Sequence, residues 1–169
     1  MDILIVVLRL LHILLGIIWV GFGVLLAWIM IPTAERTGER GQAMLRTFIG
    51  YSPIGTVFGI SALGTTLAGL IMWPLRTENG YDLVAFGPAG DIVMSIGAVF
   101  GLLAFGHGAT ATGRYTGAYA AAEKAYDENP SPENAQALED AKKKFRMHTN
   151  ISAWLAVVAV VCMAGARYL

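Results

Sequence analysis

Four long apolar runs, at 3–31, 54–75, 92–113 and 151–168, take up more than half of this 169-residue chain. Each is near or above the roughly 18 residues that an α-helix needs to cross the hydrocarbon core of a bilayer. Inside lipid a segment has to satisfy its own backbone hydrogen bonds, so runs of this length read as helices and exclude an open sheet. Hydrophobic residues make up 56% of the chain and charged residues 14%, outside the usual balance of a soluble domain. The expected fold is therefore all-α: a single transmembrane domain over 1–169, an integral membrane four-helix bundle with a charged cytoplasmic helical hairpin at about 114–147 that extends spans three and four. The first run follows only Met1 and Asp2, has no basic n-region or small-residue cleavage site, and exceeds a signal peptide's apolar core of about 7–15 residues. It is expected to stay in the mature protein.

Charge sets the expected orientation. Arg36, Arg40 and Arg46 follow the first run, and Arg114, Lys124, Lys142, Lys143, Lys144 and Arg146 follow the third, whereas the opposite side carries only Arg9, Arg76 and Arg167. The positive-inside rule then places both termini outside and the two basic segments in the cytoplasm. A formal net charge of zero gives a nucleic-acid partner no electrostatic support, so the expected surroundings are the lipid bilayer and other membrane subunits or further copies of the chain. Cys162 is the single cysteine, which excludes an intrachain disulfide, an iron–sulfur cluster and a cysteine-rich zinc site. Any metal would have to rely on histidine.

The stretch 76–90 is rich in Gly, Asn, Asp and Pro and reads as turns in an external loop. The basic segment after span three reads differently. It is alanine-rich from 115 to 126, breaks at Asp127-Glu-Asn-Pro130, and restarts with Ser131 at N-cap, Pro132 at N1 and Glu133 at N2. Span three is thus expected to run on past the membrane, turn at Pro130 and return as one long helix into span four. Small residues are spaced as helix-packing faces, with Gly55, Gly59, Gly64 and Gly69 in span two and Gly97, Gly101, Ala104 and Gly108 in span three. A flat cofactor lying on a glycine face would use the same pattern.

The three histidines carry the chemistry. All lie in or at the edge of a span, where ionisable groups are costly and by default functional candidates. His12 shares its helix face with Arg9, Gly16, Trp19 and Gly23. An imidazole for iron, glycines that leave room for a porphyrin, an aromatic wall and an arginine for a propionate together describe a haem site. The alternative is a packed histidine bonded to a neighbouring helix. His107 is flanked by Gly106 and Gly108, with Arg114 two turns on, and repeats the imidazole-plus-arginine logic in mirror image. His148 stands where span four begins. Counted from Pro130, His107 lies 23 residues back and His148 18 forward, a mismatch of about 7–8 Å, so the two meet only with some helix offset. Counted from Pro32, His12 lies roughly 30 Å from the basic side, too far to share one haem with His107. The chain has no G-x-S-x-G, no H-E-x-x-H and no phosphate-cradling glycine loop.

Leu11-His-Ile13 followed by Trp19, then Ala104-Phe-Gly-His107 leading to Gly113-Arg114, then Phe145-Arg146 and Asn150, resembles the copper-resistance-D-like and HemJ-like superfamily of small bacterial membrane proteins. The resemblance implies a helical bundle of the bacterial inner membrane. For HemJ-like members it implies a b-type haem held by the first-span histidine, matched here by His12, and porphyrinogen oxidation as the activity. Where that pattern has a lysine in span three and Asn-Glu opening the last span, this chain has Ser95-Ile96 and Asn150-Ile151. The expected function is haem b binding with a redox or electron-transfer role. Iron is expected on His12, with His107 and His148 as further metal candidates and Arg9, Gly16, Trp19 and Arg114 around the cofactor. The alternatives are a non-catalytic accessory subunit of a larger membrane complex and, below it, the porphyrinogen oxidase.

Overall fold

The computed structural model describes residues 3–75 and 88–169, so the turn-rich stretch is covered only at Pro88, Ala89 and Gly90. The described residues are helical apart from short turns and include no strand. Helix α1 (Ile3–Val24) continues through a wide π turn at Leu25–Met30 into α2 (Ile31–Arg36). Pro32 accounts for the wide turn: it has no N–H to give and its ring crowds the carbonyl of Trp28, and the Ile31 N–H reaches back five residues to the Leu26 carbonyl instead. Gly38, at φ +65°, turns the chain into α3 (Glu39–Tyr51), a backbone angle that favours glycine. Helix α4 (Ile54–Met72) follows. Helix α5 (Ala89–His107) passes through a second π turn, Gly108–Thr112, into α6 (Gly113–Glu128), and α7 (Pro132–Gly165) returns and ends in a 3₁₀ turn at Ala166–Tyr168. The Ser131 hydroxyl accepts the Asn134 N–H at 3.2 Å and caps α7.

Four continuous helical stretches, Ile3–Arg36, Ile54–Met72, Ala89–Glu128 and Pro132–Tyr168, are long and apolar enough to cross a membrane. They pack chiefly as two pairs, α1 with α4 and α5 with α7. Small residues set both seams. A Cβ on Gly97 would stand 2.8 Å from Met163 Cγ and 3.1 Å from Cys162 Cβ, and one on Gly69 would stand 2.9 Å from His12 Cε1. The glycine faces of α4 and α5 are thus used in part for close helix approach, the means by which apolar helices associate without a hydrophobic drive between them. Leu10, Leu14 and Ile17 of α1, Leu63 and Leu67 of α4, and Val160 and Val161 of α7 face outward, as lipid-contacting side chains would.

Beyond the apolar stretches the packing resembles a soluble core. Ile31, Ala34, Leu45, Tyr119 and Phe145 are buried together, with the Tyr119 and Phe145 rings stacked at 5.1 Å between centroids. Helix α3, between the first two apolar runs and not among the expected elements, buries Leu45 here. Polar contacts fix it: Tyr119 Oη donates to Gln42 Oε1 at 3.1 Å, and Arg46 pairs with Asp127 at 3.2 Å and approaches Glu123 at 3.9 Å; Arg146 of α7 pairs separately with Glu35 of α2 at 2.9 Å. Glu123 is only 6% exposed.

Burial pushes the Glu123 carboxyl above the usual carboxylate range, opposed by the neighbouring Tyr119 hydroxyl and by the Arg46 charge. A carboxyl raised in the folded state keeps its proton there after the unfolded chain has lost it. Stability at this end is therefore expected to fall as pH rises from the ordinary carboxylate range through the raised value. Thermal unfolding of the detergent-solubilised protein across that window should show the fall, and Glu123→Gln should flatten it. A slope unchanged in Glu123→Gln would assign the pH dependence to other groups.

Candidate functional site

His12, half-buried on α1, faces α4. Its Nδ1 lies 2.7 Å from the Thr65 carbonyl, and a carbonyl only accepts, so Nδ1 carries the hydrogen and Nε2 keeps its lone pair. The ring is seated over Gly69, the residue whose missing side chain makes room for it. Gly16, one turn on, lies against Thr65, with 3.6 Å from an ideal Gly16 Cβ to Thr65 Cγ2. The Thr65 hydroxyl is buried and lacks a hydrogen-bond partner among the described residues. Trp19 turns to α5 and meets Phe105 edge-on at 6.5 Å. Arg9 is exposed, one turn from His12. Of the features expected around a porphyrin, Gly16 and Trp19 are taken up by helix packing, whereas His12 Nε2 and Arg9 have no hydrogen-bond partner among the described residues.

A second constellation joins α5, the Gly108–Thr112 turn, α6 and α7. His107 Nε2 lies 3.0 Å from His148 Nδ1, and His107 Nδ1 lies 2.9 Å from Ser152 Oγ. Ser152 Oγ lies 2.9 Å from Thr112 Oγ1, and Thr112 donates to the His148 carbonyl at 3.3 Å. Tyr115 lies flat on the His148 ring at 4.3 Å. Residues five apart stand about 140° from one another around a regular α-helix at 100° per residue. The π turn, whose bonds run from i to i+5, brings them closer to one face and lets His107 and Thr112 both reach Ser152.

Hydrogen directions follow once the Thr112 hydroxyl gives its hydrogen to the carbonyl. Thr112 Oγ1 then accepts from Ser152, Ser152 accepts from His107 Nδ1–H, and His107 Nε2 accepts from His148 Nδ1–H. Both nitrogens of His107 are engaged, which leaves it no lone pair for iron in this arrangement. Among the described residues His148 Nε2 has no hydrogen-bond partner. Arg114, expected beside a cofactor, is exposed and lies over Tyr115 at 5.8 Å.

The structure thus joins His107 to His148 and holds His12 on a different helix pair. Thr65, Thr112, Tyr115 and Ser152 complete these clusters and were not singled out by sequence; hydroxyls within otherwise apolar stretches were the available signal. Among the described residues no three His, Cys, Asp or Glu side chains converge as a metal site. No family model matches the chain, and neither a curated protein nor a solved structure matches it. The class that the fold defines is an all-helical chain with four helices of membrane-crossing length and composition.

Proposed function

We propose that the chain is a multi-pass protein of the bacterial inner membrane that binds a b-type haem on His12 and has a redox or electron-transfer role, with both termini outside and the α6–α7 hairpin in the cytoplasm. The observation that carries this reading is the 2.7 Å bond from His12 Nδ1–H to the Thr65 carbonyl. A ligating histidine characteristically gives its other ring N–H to a carbonyl or carboxylate, which orients the ring and raises the basicity of the free nitrogen. His12 Nε2 would hold the iron, and Arg9, one turn away, would face a propionate. A bound haem supplies a one-electron couple; the chain orients the imidazole and keeps water away from it with apolar helix.

A second reading is an accessory subunit that packs against a larger membrane complex. It is favoured by Gly55 and Gly59, four residues apart on α4, where an added Cβ would meet nothing within 4 Å, unlike Gly64 and Gly69. One mild-detergent preparation separates the two. The haem reading expects a Soret band and a reduced α-band typical of b haems, lost in His12→Ala. A colourless protein carrying stoichiometric partners would favour the accessory reading, and a colourless lone protein would remove both.

A further inference from the structure

The geometry points to a one-proton binding site at the His107–His148 pair, taken up at the His148 Nε2 lone pair; it stands independently of the haem reading. Its basis is the alignment of the two rings. Their centroids are 5.1 Å apart, their planes differ by 28° and the facing nitrogens are 3.0 Å apart. Most of the difference between the two distances is taken up by the two ring radii, so the nitrogens lie close to the line joining the centroids. Donor and acceptor meet nearly head-on at 3.0 Å with the ring planes 28° apart, a geometry that suits an N–H···N bond.

The pair takes up a proton without rearrangement. In the neutral state His148 Nδ1–H points at His107 Nε2, and His107 is locked in that tautomer by Ser152 and Thr112 behind it. A proton from water adds to the His148 Nε2 lone pair and makes that ring an imidazolium. Its Nδ1–H bond to His107 becomes charge-assisted, and the proton can cross to His107 Nε2 while His148 stays protonated at Nε2. An O–H bond of hydronium breaks as the Nε2–H bond forms and water leaves, the Nδ1–H bond breaks as the proton crosses, and no electron moves. A second proton is excluded while the pair is intact, because both facing nitrogens would then carry hydrogens 3.0 Å apart and two like charges would meet.

The surroundings leave the added charge to the pair itself. From α6 the neutral Tyr115 ring covers His148, with the Arg114 guanidinium beyond it; on α7 Arg146 is two residues away and paired to Glu35 of α2. From the turn after α1, Trp28 donates to Asn150 Oδ1 and adds no charge. Among the described residues no carboxylate forms an ion pair with either imidazole. Ionisable side chains chained in this way inside apolar helices are the form that membrane proton relays take.

The test is a pH titration, from about 8 to 5, of the full chain with ¹⁵N-labelled histidine in lipid nanodiscs, with each ring read separately by its nitrogen shifts. Expected is uptake of one proton over the two rings in a single shared step, with His107 held as the Nδ1–H tautomer before it. Ser152→Ala should leave the step but mix the His107 tautomers. His107→Gln should leave His148 taking one proton alone, with no second ring responding. Two protons taken up in separate steps by the wild type, or a neutral His107 carrying its hydrogen on Nε2, would overturn the site. Because the wild type alone decides, a variant that fails to fold leaves the test intact.

Discussion

Phe145→Ala is expected to lower stability by about 3–5 kcal/mol, the range for truncating a fully buried aromatic ring. Phe145 is 1% exposed, lies parallel to Tyr119, and is buried with Ile31, Ala34 and Leu45. These residues come from α2, α3, α6 and α7, so one ring ties the extramembrane ends of the helices together. The gap left by alanine remains as a cavity, and that is a cost. Helix α3 should feel it first. It is held by Leu45 and by the polar contacts of Gln42 and Arg46, and exposed ion pairs such as Arg46–Asp127 contribute little alone. Limited trypsin digestion should therefore cut at Arg40 and Arg46 faster in the variant, and thermal unfolding in detergent should begin at lower temperature. Wild-type cleavage rates together with an unchanged midpoint would show that this cluster does not hold the extramembrane end together.

Much of the architecture is legible in the chain because apolar run length is a strong signal. The runs at 54–75, 92–113 and 151–168 coincide with α4, α5 with its π turn, and the second half of α7, and Ser131-Pro132-Glu133 marks the start of α7. Helix α3 is too short and too polar to stand out as an apolar run; Leu45, Phe48 and Ile49 at helical spacing against Arg40, Gln42 and Arg46 are its signal, and the burial of Leu45 with Ile31, Ala34, Tyr119 and Phe145 fixes it in place. The wide turns are also silent in a spacing count. Between His107 and His148 the arithmetic of regular helices predicts a mismatch of about 7–8 Å, yet their nitrogens stand 3.0 Å apart. The π turn fits an extra residue into its turn and so removes part of that offset, and the two side chains reach across the rest. Spacing also could not tell which glycines face a neighbour. Gly16, Gly23, Gly64 and Gly69 all sit on plausible packing faces, and only the pairing of α1 with α4 shows that Gly69 is the seat of the His12 imidazole.

That seat gives the other large expected effect. A Cβ on Gly69 would lie 2.9 Å from His12 Cε1 and 3.1 Å from Nδ1, so Gly69→Val has to push the imidazole aside or part α1 from α4. Either response strains the 2.7 Å bond to the Thr65 carbonyl, and overpacking of this kind costs about 1–3 kcal/mol. His12→Ala is destabilising by a different route, because it leaves an empty space over Gly69 and a Thr65 carbonyl without its donor. The two changes should compensate. In Gly69→Val/His12→Ala the valine occupies space that the imidazole has left, so the double variant should be more stable than the sum of the two losses predicts, by about 1 kcal/mol or more, as contacting residues commonly are. Unfolding midpoints of the four proteins in detergent give that coupling, and strict additivity would mean that residues 12 and 69 do not meet. The haem band provides a second, separable readout. If His12 Nε2 holds iron, Gly69→Val alone should diminish or shift the Soret band by displacing the ligand, and the double variant should recover stability without recovering colour. Recovery of both together would place the ligand elsewhere and leave His12 as a packing residue bonded to α4.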